Sequence, residues 1–139
     1  RLEEEAIELL EKELKKTFNK ELVIWERDDN NNIAISPDAF TDDFKEAVEV
    51  KCLASGKHIE AYLKQEIPSD YKFQTYQYFI VNDKLETLYF VFYDPRLVVK
   101  QFFYITIKRS DVEKEIQTYL EYQKTKLKEI NDIVKKLTF

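Results

Sequence analysis

The sequence predicts an α/β fold, a mixed central β-sheet flanked by α-helices. Three observations carry that prediction. Apolar residues recur at three- and four-residue spacing at both ends of the chain, which is the period of a helix. Between those ends lie short runs of β-branched and aromatic residues, the composition of strands. The resulting order is helix, three strands, helices, two strands and a long helix, an interleaving that sets helices against a sheet. With 139 residues, the chain reads as one domain, 1–139, long enough for a real core. Aromatic residues make up 14% and glycine occurs once, so the chain packs rather than staying disordered. It opens at Arg1, already inside a helical pattern, and contains no methionine; it reads as a domain lacking its N-terminal part.

Arg1 to about Thr17 is the first helix, with Leu2, Ala6, Leu9, Leu10 and Leu14 on one face. Glu3, Glu4, Glu5 and Glu8 crowd its start, where the helix dipole favours acids. Leu22 to Arg27 is a strand, 28–32 a turn of short polar side chains, and Ile33 to Ile35 a returning strand. The pair forms a hairpin that delivers Ser36-Pro37-Asp38 at its end. Ala47 to Cys52 is the third strand, and Cys52 reads as a small buried residue at its tip. Ile59, Leu63 and Ile67 mark a short helix, and the lone histidine, His58, reads as a surface residue at its start. Pro68-Ser69-Asp70 opens a helix that runs from Tyr71 to Val81, in which the aromatic stripe is core. Leu88–Tyr93 and Phe102–Lys108 are strands. Arg96, between them, reads as the partner of a structural ion pair with Asp94 or another carboxylate, with a contact to a DNA backbone as the alternative. The last helix opens at Ser110 with Glu113 as a capping box. Its apolar residues from Ile116 to Leu137 face the body, and Lys124, Lys126, Lys128, Lys135 and Lys136 make its outer side basic.

Several function classes find no support. No Gly-rich phosphate loop, Walker motif or Gly-x-Ser-x-Gly elbow occurs, so neither ATP use nor serine-hydrolase chemistry is indicated. A single cysteine excludes an internal disulfide and argues against a four-cysteine zinc or iron–sulfur site. Nothing resembles a signal peptide or a membrane span. The net charge of −5 weighs against a nonspecific nucleic-acid coat, although an acidic protein can still line a channel with its basic groups.

The chemistry concentrates between Ser36 and Lys51. Asp38 follows a proline, Glu49 lies eleven positions on, and Lys51 two further. Val48 and Val50 alternate with Glu49 and Lys51, so the two charged side chains share one face of a strand. Asp38, at the end of a neighbouring strand, is placed to join them. Asp42 and Asp43 are rival carboxylates on a loop, which positions a ligand less well. Two converging carboxylates make a hard oxygen site suited to Mg²⁺ or Mn²⁺. A lysine beside them can orient a water or steady charge on a phosphate, which are the parts of metal-assisted phosphodiester hydrolysis. An exposed, charge-paired strand face is the plain alternative.

Ser36-Pro37-Asp38 followed by Glu49-Val50-Lys51-Cys52, then Gln74 on the next long helix and Tyr93-Asp94-Pro95-Arg96 before another strand, resembles the phage lambda exonuclease group, the YqaJ-type viral recombinases of the PD-(D/E)xK nuclease superfamily. The resemblance runs over nearly the whole chain. It implies a restriction-endonuclease-like three-layer core and Mg²⁺-dependent, 5′→3′ digestion of double-stranded DNA ends in phage or prophage recombination. It further implies that Asp38, Glu49 and the Val50 carbonyl hold metal, that Lys51 and Gln74 position the attacking water, and that Glu3 assists a metal. Glu4 or Glu5 takes the place of Glu3 under a one-residue slip. Ser36 matches a position that helps hold the terminal 5′-phosphate, with a turn-capping serine as the alternative. A ring-shaped homotrimer, a partner single-strand annealing protein and a place in the bacterial cytoplasm are also implied. Two positions depart from the pattern: Ala39 stands where the family has glycine, and Tyr76 where a second glutamine is common. A site- or structure-specific endonuclease on the same core and a non-catalytic binding module are the rival readings.

Overall fold

The structure is a computed structural model and describes residues 1–137. The elements are α1 (Leu2–Leu14), β1 (Trp25–Arg27), β2 (Asn30–Ile35), β3 (Ala39–Phe40), β4 (Glu46–Lys51), α2 (Ser55–Lys64), α3 (Lys72–Val81), β5 (Thr87–Tyr93), β6 (Phe102–Lys108) and α4 (Glu113–Leu137). β1 and β2 form a separate two-stranded hairpin, and the main sheet has the order β3-β4-β5-β6. The central β4–β5 pair is parallel and its two flanking pairs are antiparallel, so the sheet is mixed as predicted. A parallel pair needs a long crossover, and α2 and α3 supply it.

Alternation along β4 and β5 divides the core between the two faces of the sheet. Val48 and Val50, with Tyr89, Val91 and Tyr93, pack against Ala6, Ile7 and Leu10 of α1. Ala47, Leu88, Phe90 and Phe92 turn the other way, toward Ala61 of α2, Tyr78 to Val81 of α3, Ile33 of the hairpin and Ile116 of α4. All seven residues of β5 are buried, as expected of a strand covered on both sides. Each large side chain enclosed there contributes roughly 2 kcal/mol of burial. Glycine is almost absent, so the left-handed residues that end α1 and α2 are Lys15 (φ 57°) and Gln65 (φ 52°).

Several boundaries differ from the sequence reading. Only Trp25–Arg27 of the first predicted strand pairs; Leu22 and Ile24 are exposed, because the ladder with β2 begins at Trp25↔Ile35. β3, two residues long, was not anticipated. α3 and α4 each begin after a short 3-10 turn, at Ser69–Tyr71 and Arg109–Asp111, and no side chain caps α3. α4 spans 25 residues, about 37 Å at 1.5 Å per residue, and outruns the shorter α3 beneath it. Ile130, Val134 and Leu137 are therefore 55%, 51% and 78% exposed instead of facing the body. Among the described residues, no helix is long and apolar enough to cross a membrane.

Candidate active site

The β3–β4 ladder sets the site. Ala39 pairs with Val48, so the preceding residue, Asp38, stands opposite Glu49, on the face that looks toward α3. Two main-chain bonds fix it there: the Asp38 N–H donates to the Val48 carbonyl at 3.1 Å, and Asp38 Oδ2 accepts from the Val50 N–H at 2.7 Å. Glu49 is 5% exposed. Lys51 Nζ lies 3.4 Å from Glu49 Oε2 and 4.6 Å from the centre of the Tyr71 ring. The Val50 N–H leaves the β3 edge of β4, and a strand residue's N–H and C=O leave by the same edge. The Val50 carbonyl thus opens on the side of Asp38.

The electrostatics are those of two carboxylates short of positive charge. Burial, and then the neighbouring Asp38, push Glu49 up to about 7. Burial also raises Asp38; the Val50 N–H opposes that shift, and Glu3 adds to it. Glu3 sits on the first turn of α1 and acts on both Asp38 and Cys52, whereas Glu5 acts on Tyr93. Of the acids at the head of α1, Glu3 is the one that reaches the field of the pair. Among the described residues, no three His, Cys, Asp or Glu side chains already close on one point as a metal cluster. The donor set is two facing carboxylates and a strand carbonyl, with Glu3 at longer range. These are hard oxygen donors, and the repulsion between the carboxylates is what a small divalent cation relieves. The residues present fit Mg²⁺ or Mn²⁺.

Gln74 lies on α3, half-buried, and its amide has no hydrogen-bond partner among the described residues. One turn further along the same helix face stands Tyr78, which the sequence reading passed over as core. Tyr78 is fully buried, and its hydroxyl donates to Glu49 Oε1 at 2.5 Å. Its position four residues after Gln74 was the available signal. Ser36 is exposed and its hydroxyl donates to the Val23 carbonyl at 2.7 Å, joining the chain before β1 to the segment before Asp38. Asp42 and Asp43 are engaged elsewhere, with Asn19 and with Thr41 and Lys45. A cleft of about 400 Å³ lined by Trp25, Phe44 and Asp83 contains none of these side chains; a polymer substrate needs an accessible face rather than a deep pocket.

Behind β4 the Tyr93-Asp94-Pro95-Arg96 segment forms a clamp. The buried Asp94 carboxylate accepts from Arg96 Nε at 2.8 Å, from the Arg96 N–H at 3.0 Å and from Ser55 Oγ at 2.5 Å. The Arg96 side chain, then Ser55, hold that carboxyl down at about 2. Arg96 Nη2 also donates to the Leu53 carbonyl at 2.9 Å, so the clamp grips the chain just beyond Lys51. The expected Asp94–Arg96 pair is present. Two expectations for single residues fail. His58 is fully buried, because the segment after Arg96 folds over α2 and the Lys100 carbonyl meets His58 Nε2 at 2.7 Å. Cys52 is exposed, because it follows the last paired residue of β4.

No family model matches the sequence, and no curated protein does. Solved structures do match. The alkaline exonuclease LHK-Exo from Laribacter hongkongensis superposes with a TM-score of 0.70 at 22% identity, over 99% of this chain and 72% of that one. Its complex with dAMP matches equally. A phage-related exonuclease from Haemophilus somnus 129PT gives a TM-score of 0.60 at 16% identity, over 93% of this chain and 70% of that one. At the level of fold, the chain is built as these exonucleases are.

Proposed function

We propose that this chain is a metal-dependent deoxyribonuclease, a 5′→3′ exonuclease acting on double-stranded DNA ends in phage or prophage recombination. The observation that carries the reading is the buried Glu49 facing the half-buried Asp38, with Lys51 on the same strand face as Glu49. The fold shared with an alkaline exonuclease and a phage-related exonuclease supports it. So does the disposition of α1 on one face of the sheet and α2 and α3 on the other, which we take to be the restriction-endonuclease-like three-layer core.

Asp38, Glu49 and the Val50 carbonyl would hold Mg²⁺, or Mn²⁺ in its place, with Glu3 assisting from α1. When bound, the cation supplies Lewis-acid stabilisation of the charge that builds on the scissile phosphate and its leaving oxygen. The Lys51 ammonium, held between Glu49 and the Tyr71 ring, orients the attacking water and balances phosphate charge. The unpartnered Gln74 amide, one turn before Tyr78, offers a second hydrogen bond to that water. Ser36 meets a terminal 5′-phosphate only by exchanging its bond to Val23. A ring-shaped homotrimer and a single-strand annealing partner belong to the same proposal, as does a place of action in the bacterial cytoplasm.

The test uses linear duplex labelled at one 5′ end and a closed circle, each with Mg²⁺ or EDTA. The expected result is Mg²⁺-dependent release of 5′ mononucleotide from the linear DNA with the circle intact. Cutting of the circle replaces the exonuclease with an endonuclease on the same core. Cleavage of neither substrate points to a binding module.

A further inference from the structure

We infer that Tyr78 is a positioning residue that holds Glu49 to one-oxygen coordination, and thereby sets the site's preference for a small octahedral cation over Ca²⁺. The inference rests on the metal-site reading above and goes on to its selectivity. The Tyr78 hydroxyl has one proton. It lies 2.5 Å from Glu49 Oε1 and 3.4 Å from the Val48 carbonyl, so the carboxylate takes the bond. The hydroxyl cannot easily withdraw. The Tyr78 ring is fully enclosed, its backbone is inside α3, and the edge of Trp25 packs against it with ring centres 6.4 Å apart.

The consequence follows from carboxylate chemistry. The last torsion of a glutamate is broad and roughly two-fold, so an untethered Glu49 can turn either or both oxygens toward a cation. With Oε1 committed to Tyr78, Oε2 remains, on the side where Lys51 Nζ stands at 3.4 Å. Ca²⁺ takes six to eight oxygens and accepts bidentate carboxylates, whereas Mg²⁺ demands near-octahedral geometry at about 2.0–2.1 Å. Pinning the carboxylate with one lone pair of Oε1 occupied disfavours the bidentate mode that suits the larger ion and favours coordination through Oε2, which suits the smaller one. Hydrogen bonds behind a ligand commonly change metal affinity by about 10–100-fold.

The experiment is titration of Mn²⁺ and of Ca²⁺ into the wild-type chain and Tyr78→Phe, by calorimetry without DNA. The expected result is that Tyr78→Phe weakens Mn²⁺ about tenfold or more while Ca²⁺ binding holds or tightens, so the Mn²⁺/Ca²⁺ preference falls at least about tenfold. A merely structural loss would weaken both ions alike, and that outcome overturns the inference. Equal affinities in the two proteins overturn it too, yet leave the metal site standing. No Mn²⁺ binding by the wild type removes both. If Tyr78→Phe does not fold, the carboxylate infrared bands of the wild-type chain on adding Mg²⁺ decide. A one-oxygen pattern at Glu49, identified by its loss in Glu49→Gln, supports the inference, and a bidentate pattern overturns it.

Discussion

Glu49 and Asp94 are both buried carboxylates, on or next to adjacent parallel strands, and they have opposite fates. Asp94 is surrounded by donors: Arg96 through its side chain and main chain, and Ser55. Its carboxyl is held down at about 2. Glu49 has one hydroxyl, a lysine at 3.4 Å and a second carboxylate across the ladder, and is pushed up to about 7. Burial alone therefore does not mark a functional acid. What separates the two is whether the protein supplies the compensating charge itself. At Asp94 it does, and the result is a clamp. At Glu49 it does not, and that shortfall is the reason we propose a cation brought from outside.

The largest effects should come from breaking the site side of this contrast. Glu49→Gln should abolish measurable Mn²⁺ binding and reduce cleavage of linear duplex by roughly a thousandfold or more. The same change should leave the metal-free protein at pH 8 as stable as the wild type or more so, because it removes a buried charge that faces another. Thermal melting in EDTA reads that directly; a marked loss of stability would mean that Glu49 is a structural acid like Asp94. Lys51→Ala should keep metal and DNA binding while losing cleavage by about three orders of magnitude. Cleavage that survives Lys51→Ala would remove the proposed mechanism.

The mirror experiment breaks the clamp. Asp94→Asn keeps the shape of the side chain but strips the charge that Arg96 and Ser55 were arranged around, and a pair broken on one side leaves a costly remainder. The thermal midpoint should fall by about 5 °C or more. Cleavage should fall only about tenfold, through the chain beyond Lys51 that Arg96 holds at Leu53. Mn²⁺ affinity measured below the melting transition should stay within about threefold of the wild type. Asp94→Asn and Glu49→Gln are thus expected to move stability and metal binding in opposite proportions.

How far the sequence disclosed this arrangement depended on the range of the interactions. Glu49 and Lys51 on one face followed from the two-residue period of a strand, a purely local rule. The hairpin, the buried β5 run and the Asp94–Arg96 pair were legible for the same reason. What crosses between distant segments was not. β3 is two residues long and pairs only because Asn19 and β4 lie on either side of it, so no periodicity announces it. His58 looked like a surface residue at a helix start because nothing near it foretells that Lys100 folds over it. Tyr78 looked like core, and it is core; only the register of α3 across β4 turns its hydroxyl onto Glu49. The exposed end of α4 carries an apolar pattern that the fold leaves uncovered. A helical period identifies a seam, and it does not say what lies against it.

The comparison sharpens further when the two acids are separated along the pH axis. A carboxyl raised in the folded state binds its proton more tightly there than in the unfolded chain, so it costs stability as pH rises through the interval between the two values. For Glu49 that interval runs from the ordinary 4.5 to about 7, and the cost once it is fully ionised is roughly 3 kcal/mol. Asp94 works in the other direction. Its depressed carboxyl contributes stability above the ordinary value of 3.8, and that contribution is lost as pH falls toward about 2. Chemical denaturation of the metal-free chain should therefore show stability declining from pH 5 to pH 8, and a separate acid limb below pH 4. Saturating Mn²⁺ should flatten the neutral decline, because the cation takes the place of the proton, while leaving the acid limb where it was. Glu49→Gln should remove the neutral decline alone, and Asp94→Asn should weaken the acid limb alone. A neutral decline that persists in Glu49→Gln would place the shifted proton on Asp38 and make it the acid that the cation displaces.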